Sequence, residues 1–200
     1  DKREIMLATN KPLMIIKQDA DSVYVTADTL FSARLSDLYS KKDTVVKEKV
    51  KGTQVINTAN KDSTNRYFEA YRNVRIFSDS IQAISDSLFY SFKDSVFRLF
   101  QNPVIWSKES QITGDTVYLF TKNKKVDKIK VFENSFLINK AAPGIFNQIK
   151  SSRMDGYFRD GNIDSVRAAG FAECIYYIQD EDSAFTGINE SKSDILDIYF

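Results

Sequence analysis

Asp21-Ser22-Val23-Tyr24-Val25-Thr26-Ala27-Asp28-Thr29-Leu30-Phe31 aligns without a gap on Asp79-Ser80-Ile81-Gln82-Ala83-Ile84-Ser85-Asp86-Ser87-Leu88-Phe89, and its second half returns as Gly114-Asp115-Thr116-Val117-Tyr118. Side chains of one kind recur at every second position, the period of a strand with two different faces. Asp28, Asp86 and Asp115 are separated by 58 and 29 positions, so one unit of about 29 residues accommodates all three. A second element lies between these copies, in which Asn precedes an alternating apolar pair. Asn73 leads Val74 and Ile76, Asn102 leads Val104 and Trp106, and Asn134 leads Phe136 and Ile138. Gly170-Phe171-Ala172-Glu173-Cys174 reads as a degenerate further copy.

Alternation continues through Val74-Arg75-Ile76-Phe77 and Lys128-Ile129-Lys130-Val131-Phe132. Helical spacing is confined to Thr29–Tyr39, where Leu30, Leu35 and Leu38 predict at most a short turn of helix. A unit of two strands cannot bury its apolar face alone, so the copies must stack or wrap around a shared interior. The predicted fold is all-β and a single domain over 1–200, with a jellyroll or sandwich, an open barrel and a β-helix as candidate architectures. The rhythm breaks at about 36–65, a Lys-, Asp- and Thr-rich stretch that reads as an insertion loop.

Composition narrows the chemistry. The chain has 28 Lys plus Arg against 27 Asp plus Glu, so no global field draws it to nucleic acid. Histidine is absent. That removes Ser-His and Cys-His nucleophile pairs, His metal ligands and a histidine acid or base near neutral pH. Neither phosphate-cradling glycine loops nor metal-ligand spacings occur, and no metal, cofactor or catalytic residue is expected. Cys174, the single cysteine, sits in the run Ala172-Glu173-Cys174-Ile175-Tyr176 and reads as a buried, inert thiol. The chain opens Asp1-Lys2-Arg3-Glu4 without a basic leader and apolar stretch, and no run approaches the roughly 18 apolar residues of a membrane helix. The closing run Ile195-Leu196-Asp197-Ile198-Tyr199-Phe200 reads as a strand cut from a longer chain.

Carboxylates are the remaining acid–base machinery. Ten of the nineteen Asp residues precede Ser or Thr, which points to turns that open strands, because these short side chains bond nearby backbone. The cluster Lys122, Lys124, Lys125, Lys128 and Lys130 reads either as a solvated turn or as a set of phosphate contacts. Val74, Ile76, Val104, Trp106, Phe136 and Ile138 are expected on one side of their strands, with Arg75 on the other. That side is either packed core or the lining of an open trough that takes an apolar chain.

Residues 65–77 (Asn65-Arg66-Tyr67-Phe68-Glu69-Ala70-Tyr71-Arg72-Asn73-Val74-Arg75-Ile76-Phe77), Asp86-Ser87-Leu88-Phe89-Tyr90, Gln101-Asn102-Pro103-Val104-Ile105-Trp106, Ile112-Thr113-Gly114-Asp115-Thr116-Val117-Tyr118 and Phe146-Asn147-Gln148-Ile149-Lys150 stand in an order that resembles the OstA-like and LptA-like family of periplasmic lipopolysaccharide-transport proteins of Bacteroidetes. The match runs from about residue 10 to the end and spares the insertion. Two positions depart from it: Phe171 stands where the pattern has Asn, and Ser151 where it has Gly.

The resemblance implies a twisted β-jellyroll in the periplasm whose interior cradles the acyl chains of lipopolysaccharide or another acylated lipid. Protomers, or other transport-bridge jellyroll domains, would join edge to edge. The implied trough is lined by Val74, Ile76, Leu88, Val104, Trp106, Val117, Phe136 and Ile138, with Lys122, Lys124 and Lys125 as phosphate contacts. Two competing expectations are a structural or adhesive β-repeat module with a closed core, and a carbohydrate-active solenoid with two carboxylates facing one cleft.

Overall fold

In the computed structural model, the described residues are 5–16, 22–40, 65–122 and 125–200. They form fourteen strands and one short helix: β1 (Met6–Thr9), β2 (Leu13–Ile16), β3 (Val23–Thr26), β4 (Thr29–Arg34), α1 (Leu35–Ser40), β5 (Arg66–Phe77), β6 (Gln82–Ser91), β7 (Val96–Phe100), β8 (Val104–Ser107), β9 (Ser110–Thr113), β10 (Thr116–Lys122), β11 (Lys125–Ala142), β12 (Ile145–Arg159), β13 (Asn162–Gln179) and β14 (Phe185–Tyr199). All belong to one antiparallel sheet whose main path runs β1-β4-β5-β6-β7-β10-β11-β12-β13-β14. The all-β class expected from the alternation is what the chain adopts.

The long strands change partner part-way. The first half of β5 pairs with β4 and the second with β3. Likewise β6 pairs with β8 and then with β7, and β11 with β10 and then with β9. Two successive residues take the left-handed conformation at the breaks in β5 and β11, Arg72–Asn73 (φ 61° and 52°) and Glu133–Asn134 (56° and 50°), and at a register shift in β13, Gly170–Phe171 (78° and 50°). The same doublet stands between β1 and β2 as Asn10–Lys11, and between β7 and β8 as Gln101–Asn102. A left-handed residue costs about 1–2 kcal/mol unless it is Gly or, to a lesser degree, Asn or Asp, which explains the recurring Asn.

Each doublet bends the sheet, and the repeated Asp residues hold the bend. Asp28 donates its backbone N–H to the Arg72 carbonyl at 3.0 Å, and its carboxylate accepts the Asn73 amide at 2.9 Å. Asp115 does the same with Glu133 and Asn134, accepting the amide at 3.0 and 3.1 Å. Asp86 lies opposite the Arg72–Asn73 doublet, between Ser85, which pairs with Val74, and Ser87, which pairs with Tyr71. What recurs is therefore the corner. The blocks between corners differ: Asp28 to Asp86 passes through β4, α1 and β5, whereas Asp86 to Asp115 passes through β7, β8 and β9.

The bent sheet makes a jellyroll-like pair of leaves with their inner faces together. The first leaf holds β1, β4, β7, β10 and one half of each long strand, and the second holds β2, β3, β8, β9 and the other halves. One apolar cluster takes residues from both, among them Leu30, Phe68, Leu99 and Met154 of the first leaf and Val25, Ile105, Leu137 and Ile149 of the second. The leaves also touch away from the corner, where Ser107 Oγ donates to the Gly161 carbonyl at 3.0 Å and Lys108 Nζ to that of Asp160 at 3.0 Å. Asp160–Gly161 is the two-residue turn between β12 and β13, with both residues at positive φ, as a tight right-twisted hairpin requires.

The short helix expected near Thr29–Tyr39 is α1, and it packs on the outside. Leu35 and Leu38 meet Phe31, Tyr67 and Phe89 on the outer face of the first leaf. Both ends of the insertion are stapled together: the backbone N–H of Ser36 donates to Asn65 Oδ1, and that of Leu35 to the Asn65 carbonyl. Residues 41–64, the bulk of the insertion, lie outside the described residues.

Candidate functional site

The interior is the first candidate, because it is where the expected trough residues were placed. Val74, Ile76, Leu88 and Val117 do face inward and are buried. Val104, Trp106, Phe136 and Ile138 do not: they lie on the outer face of the second leaf, and Ile105, Ile112 and Leu137 point inward in their place. The corner supplies the reason. In each copy, the residue immediately after the Asn turns inward, so Val74 and Ile76, Pro103 and Ile105, and Ser135 and Leu137 share one parity. Reading the bulkiest residues as inward shifted β8 and the second half of β11 by one position, which reverses every side chain.

Along its middle the interior is filled by the protein's own side chains, with Phe68, Leu99, Ile105, Ile112, Ile129, Leu137 and Ile149 fully buried. Away from the corner, the crevice between Val23, Ile76 and Ile81 of one leaf and Phe97, Leu119 and Val126 of the other leaves about 20 Å³ free. That is room for a single water. Toward β14 the lining thins. Ala168, Ala172 and Cys174 of β13 are inward, and Leu196, Ser193 and Ser191 of β14 stand opposite them. Ile198 and Leu196 are only half-buried against the core, as are Met14 and Ile16 on β2 at the other end. Among the described strands, β1, β2 and β14 each pair on one side only.

The charged candidates are placed differently. Lys122 and Lys125 pair across the β10–β11 ladder and are both exposed, while Lys124 lies outside the described residues. The neighbouring cations lie over aromatic rings, Lys128 over Tyr157 at 4.7 Å and Lys130 over Phe120 at 6.0 Å. Arg98, between Phe89 and Tyr118, continues this pattern on the outer face of the first leaf. Cys174 is buried, and desolvation pushes its thiol above the ordinary value, as expected of an inert cysteine. Burial likewise raises Tyr90 inside the first leaf. Tyr71 is pushed up to about 12 by burial and by its hydrogen bond to the Glu69 carboxylate at 2.6 Å.

What sequence reading missed is the character of the outer face of the second leaf. A cross-strand row runs Tyr24, Phe77, Gln82, Trp106, Gln111, Ile138, Gln148, Ile175, one residue from each successive strand or half-strand. Part of the signal is present in the sequence as Trp106 and Ile138, the second apolar residues of two of the three Asn elements, which were expected on the inner side. No protein-family model matches this chain, and a comparison with curated proteins finds no match either.

Proposed function

We propose that the chain is a non-catalytic binding module that takes the acyl part of a lipid between its two leaves, as one element of a periplasmic transport path. Lipopolysaccharide is the ligand class suggested by the sequence resemblance. The supporting observation is an apolar interior that runs continuously to both ends of the ladder, where Met14 and Ile16 at one end and Leu196 and Ile198 at the other stay half-covered. Burying one methylene is worth about 0.8 kcal/mol, so a dozen-carbon chain has on the order of 10 kcal/mol available before the costs of ordering it. Exposed lysine–phosphate pairs such as those of Lys122 and Lys125 add about 0–1 kcal/mol each. Binding is therefore apolar first, with the anionic headgroup left at the rim.

The filled middle of the interior favours a second reading, a structural or adhesive module with a closed core. The two differ in a simple measurement. Native mass spectrometry of gently purified protein should show a lipid adduct, and titration of the protein, once stripped of that lipid, with acylated lipopolysaccharide should displace an environment-sensitive hydrophobic dye. A protein that carries no lipid and binds neither probe is the closed module.

A further inference from the structure

The outer side of the corner carries two adjoining hollows. One, of about 320 Å³, is lined by Lys11, Thr26, Asp28, Asn73 and Arg75. The other, of about 470 Å³, is lined by Arg75, Asn73, Asp86, Gln101 and Asn102 with Val74 and Ile84. They share Asn73 and Arg75, so together they form a groove with Arg75 at its centre. Each is the size of a small-ligand site. The side chains of Arg75 and Lys11 make no ion pair or hydrogen bond among the described residues. Asp28, by contrast, is engaged by the Asn73 amide. The groove thus offers two uncommitted cations among amides, hydroxyls and carboxylates that can take part in hydrogen bonds with a polyhydroxylated partner.

A second observation comes from the same outer face. Two positions along from Thr26, Arg75 and Val104 stand Tyr24, Phe77 and Trp106, exposed at 40%, 52% and 36%. Tyr24 and Phe77 lie 6.5 Å apart. Gln82 and Gln111 flank Trp106 on its two neighbouring strands, and the indole N–H donates to Gln111 at 2.9 Å. This row holds no charged side chain from Ile15 to Ile175. Flat rings spaced by amides match a partner with both apolar C–H faces and hydroxyls, which describes a pyranose. Strands lie about 4.8 Å apart, so Arg75 and Trp106, two strands and two residues apart, fall within the span of a short oligosaccharide.

We propose that the outer face of the second leaf, from the corner groove at Arg75 to the ring of Trp106, binds an acidic saccharide, with its carboxylate or phosphate on Arg75 and its sugar rings on Tyr24, Phe77 and Trp106. Arginine supplies the planar fork that such anions prefer. The site lies outside the leaves and does not depend on the interior taking a lipid.

Trp106 is the single tryptophan, so its emission reports occupancy directly. The purified protein is titrated with a galacturonate hexasaccharide, glucose 6-phosphate, neutral maltohexaose and inorganic phosphate, none of which has an acyl chain. The expected result is a saturable emission change with at least one of the two acidic sugars, at least 10-fold tighter than with maltohexaose. Arg75→Gln should weaken it at least 10-fold with an unchanged melting temperature, Arg75→Lys should weaken it less, and Lys192→Gln, at the far end of the same face, should leave it intact. Phe77→Ser should weaken sugar binding without touching the anion pairing, so phosphate alone should respond to Arg75 and not to Phe77. No emission change with either acidic sugar, equal affinity in Arg75→Gln, or inorganic phosphate binding as tightly as the sugars would each overturn the assignment. Because no probe carries an acyl chain, failure here leaves the lipid titrations of the interior unaffected, and the converse also holds.

Discussion

Phe171 carries the least favourable backbone choice at the corner. It sits at φ 50° with its ring 84% exposed, in the position filled by Asn at 73, 102 and 134. Phe171→Asn should relieve strain and remove an exposed ring, stabilising the protein by about 1 kcal/mol. For a chain of this size that is a rise of roughly 2–4 °C in melting temperature, measurable by calorimetry. Tyr71 bears a pH dependence. Its phenol is neutral in the fold up to about 12, against an ordinary 10.0, so the unfolded chain releases this proton first. The contribution is present in full below pH 10 and is lost as the pH climbs toward 12. Tyr67 and Tyr90, both raised mainly by burial, act in the same direction. Tyr71→Phe should therefore flatten the decline of melting temperature above pH 10, and an unchanged alkaline slope would count against the Glu69 contact.

At the scale of an element, β8 shows how a strand can be identified correctly and faced wrongly. Val104, Ile105 and Trp106 are all apolar, so alternation of size does not say which side is buried. The corner does, because the Gln101–Asn102 doublet sets the direction of the first side chain after it. Ile105 is fully buried and Trp106 half-exposed. Ile105→Asp should then cost at least about 3 kcal/mol, an unpaired charge in the core, whereas Trp106→Asp should cost about 1 kcal/mol or less. Urea titration of the two variants distinguishes the faces, and equal losses would reverse the assignment. β5 was legible without this help, since Arg75 between Val74 and Ile76 marks the wet side by charge. In β11 the same ambiguity returned: Ser135 and Leu137 are inward while the larger Phe136 and Ile138 lie outside. An outer face nearly as apolar as the inner one defeats any reading based on hydrophobicity alone.

For the whole molecule, the free edges set the expected behaviour. β14 offers a fifteen-residue strand with one side unpaired among the described strands, and it carries Ile188, Ile195 and Tyr199 exposed on its outer face. Such an edge can take another strand, and the opposite end presents β1 and β2 with Leu7, Leu13 and Ile15 exposed. Sedimentation velocity should show association that grows with concentration and weakens when a charge or proline is placed on β14, for example Ile188→Lys or Ser193→Pro. Strictly monomeric behaviour at high concentration would show that both edges are blocked. Salt should matter little to this step, since the exposed side chains named are apolar or aromatic.

The sequence by itself determined the alternating strands, the turn signals between them and the class of fold. Those depend on local physics: a period of two, and short polar residues, Asn and Asp followed by Ser or Thr, where the chain turns. The same locality made Cys174 readable as a buried thiol and the absence of histidine readable as a limit on chemistry. Only the tertiary structure decided which face of β8 and β11 is the inside, that Asp28 and Asp115 close on Asn73 and Asn134, and that Arg75 stands beside an aromatic row with no side-chain partner among the described residues. A strand has two chemically equivalent sides until a second leaf covers one of them. Burial and the grooves at the bend are therefore properties of the folded pair of leaves, assembled from residues such as Lys11, Asp28 and Arg75 that lie far apart along the chain.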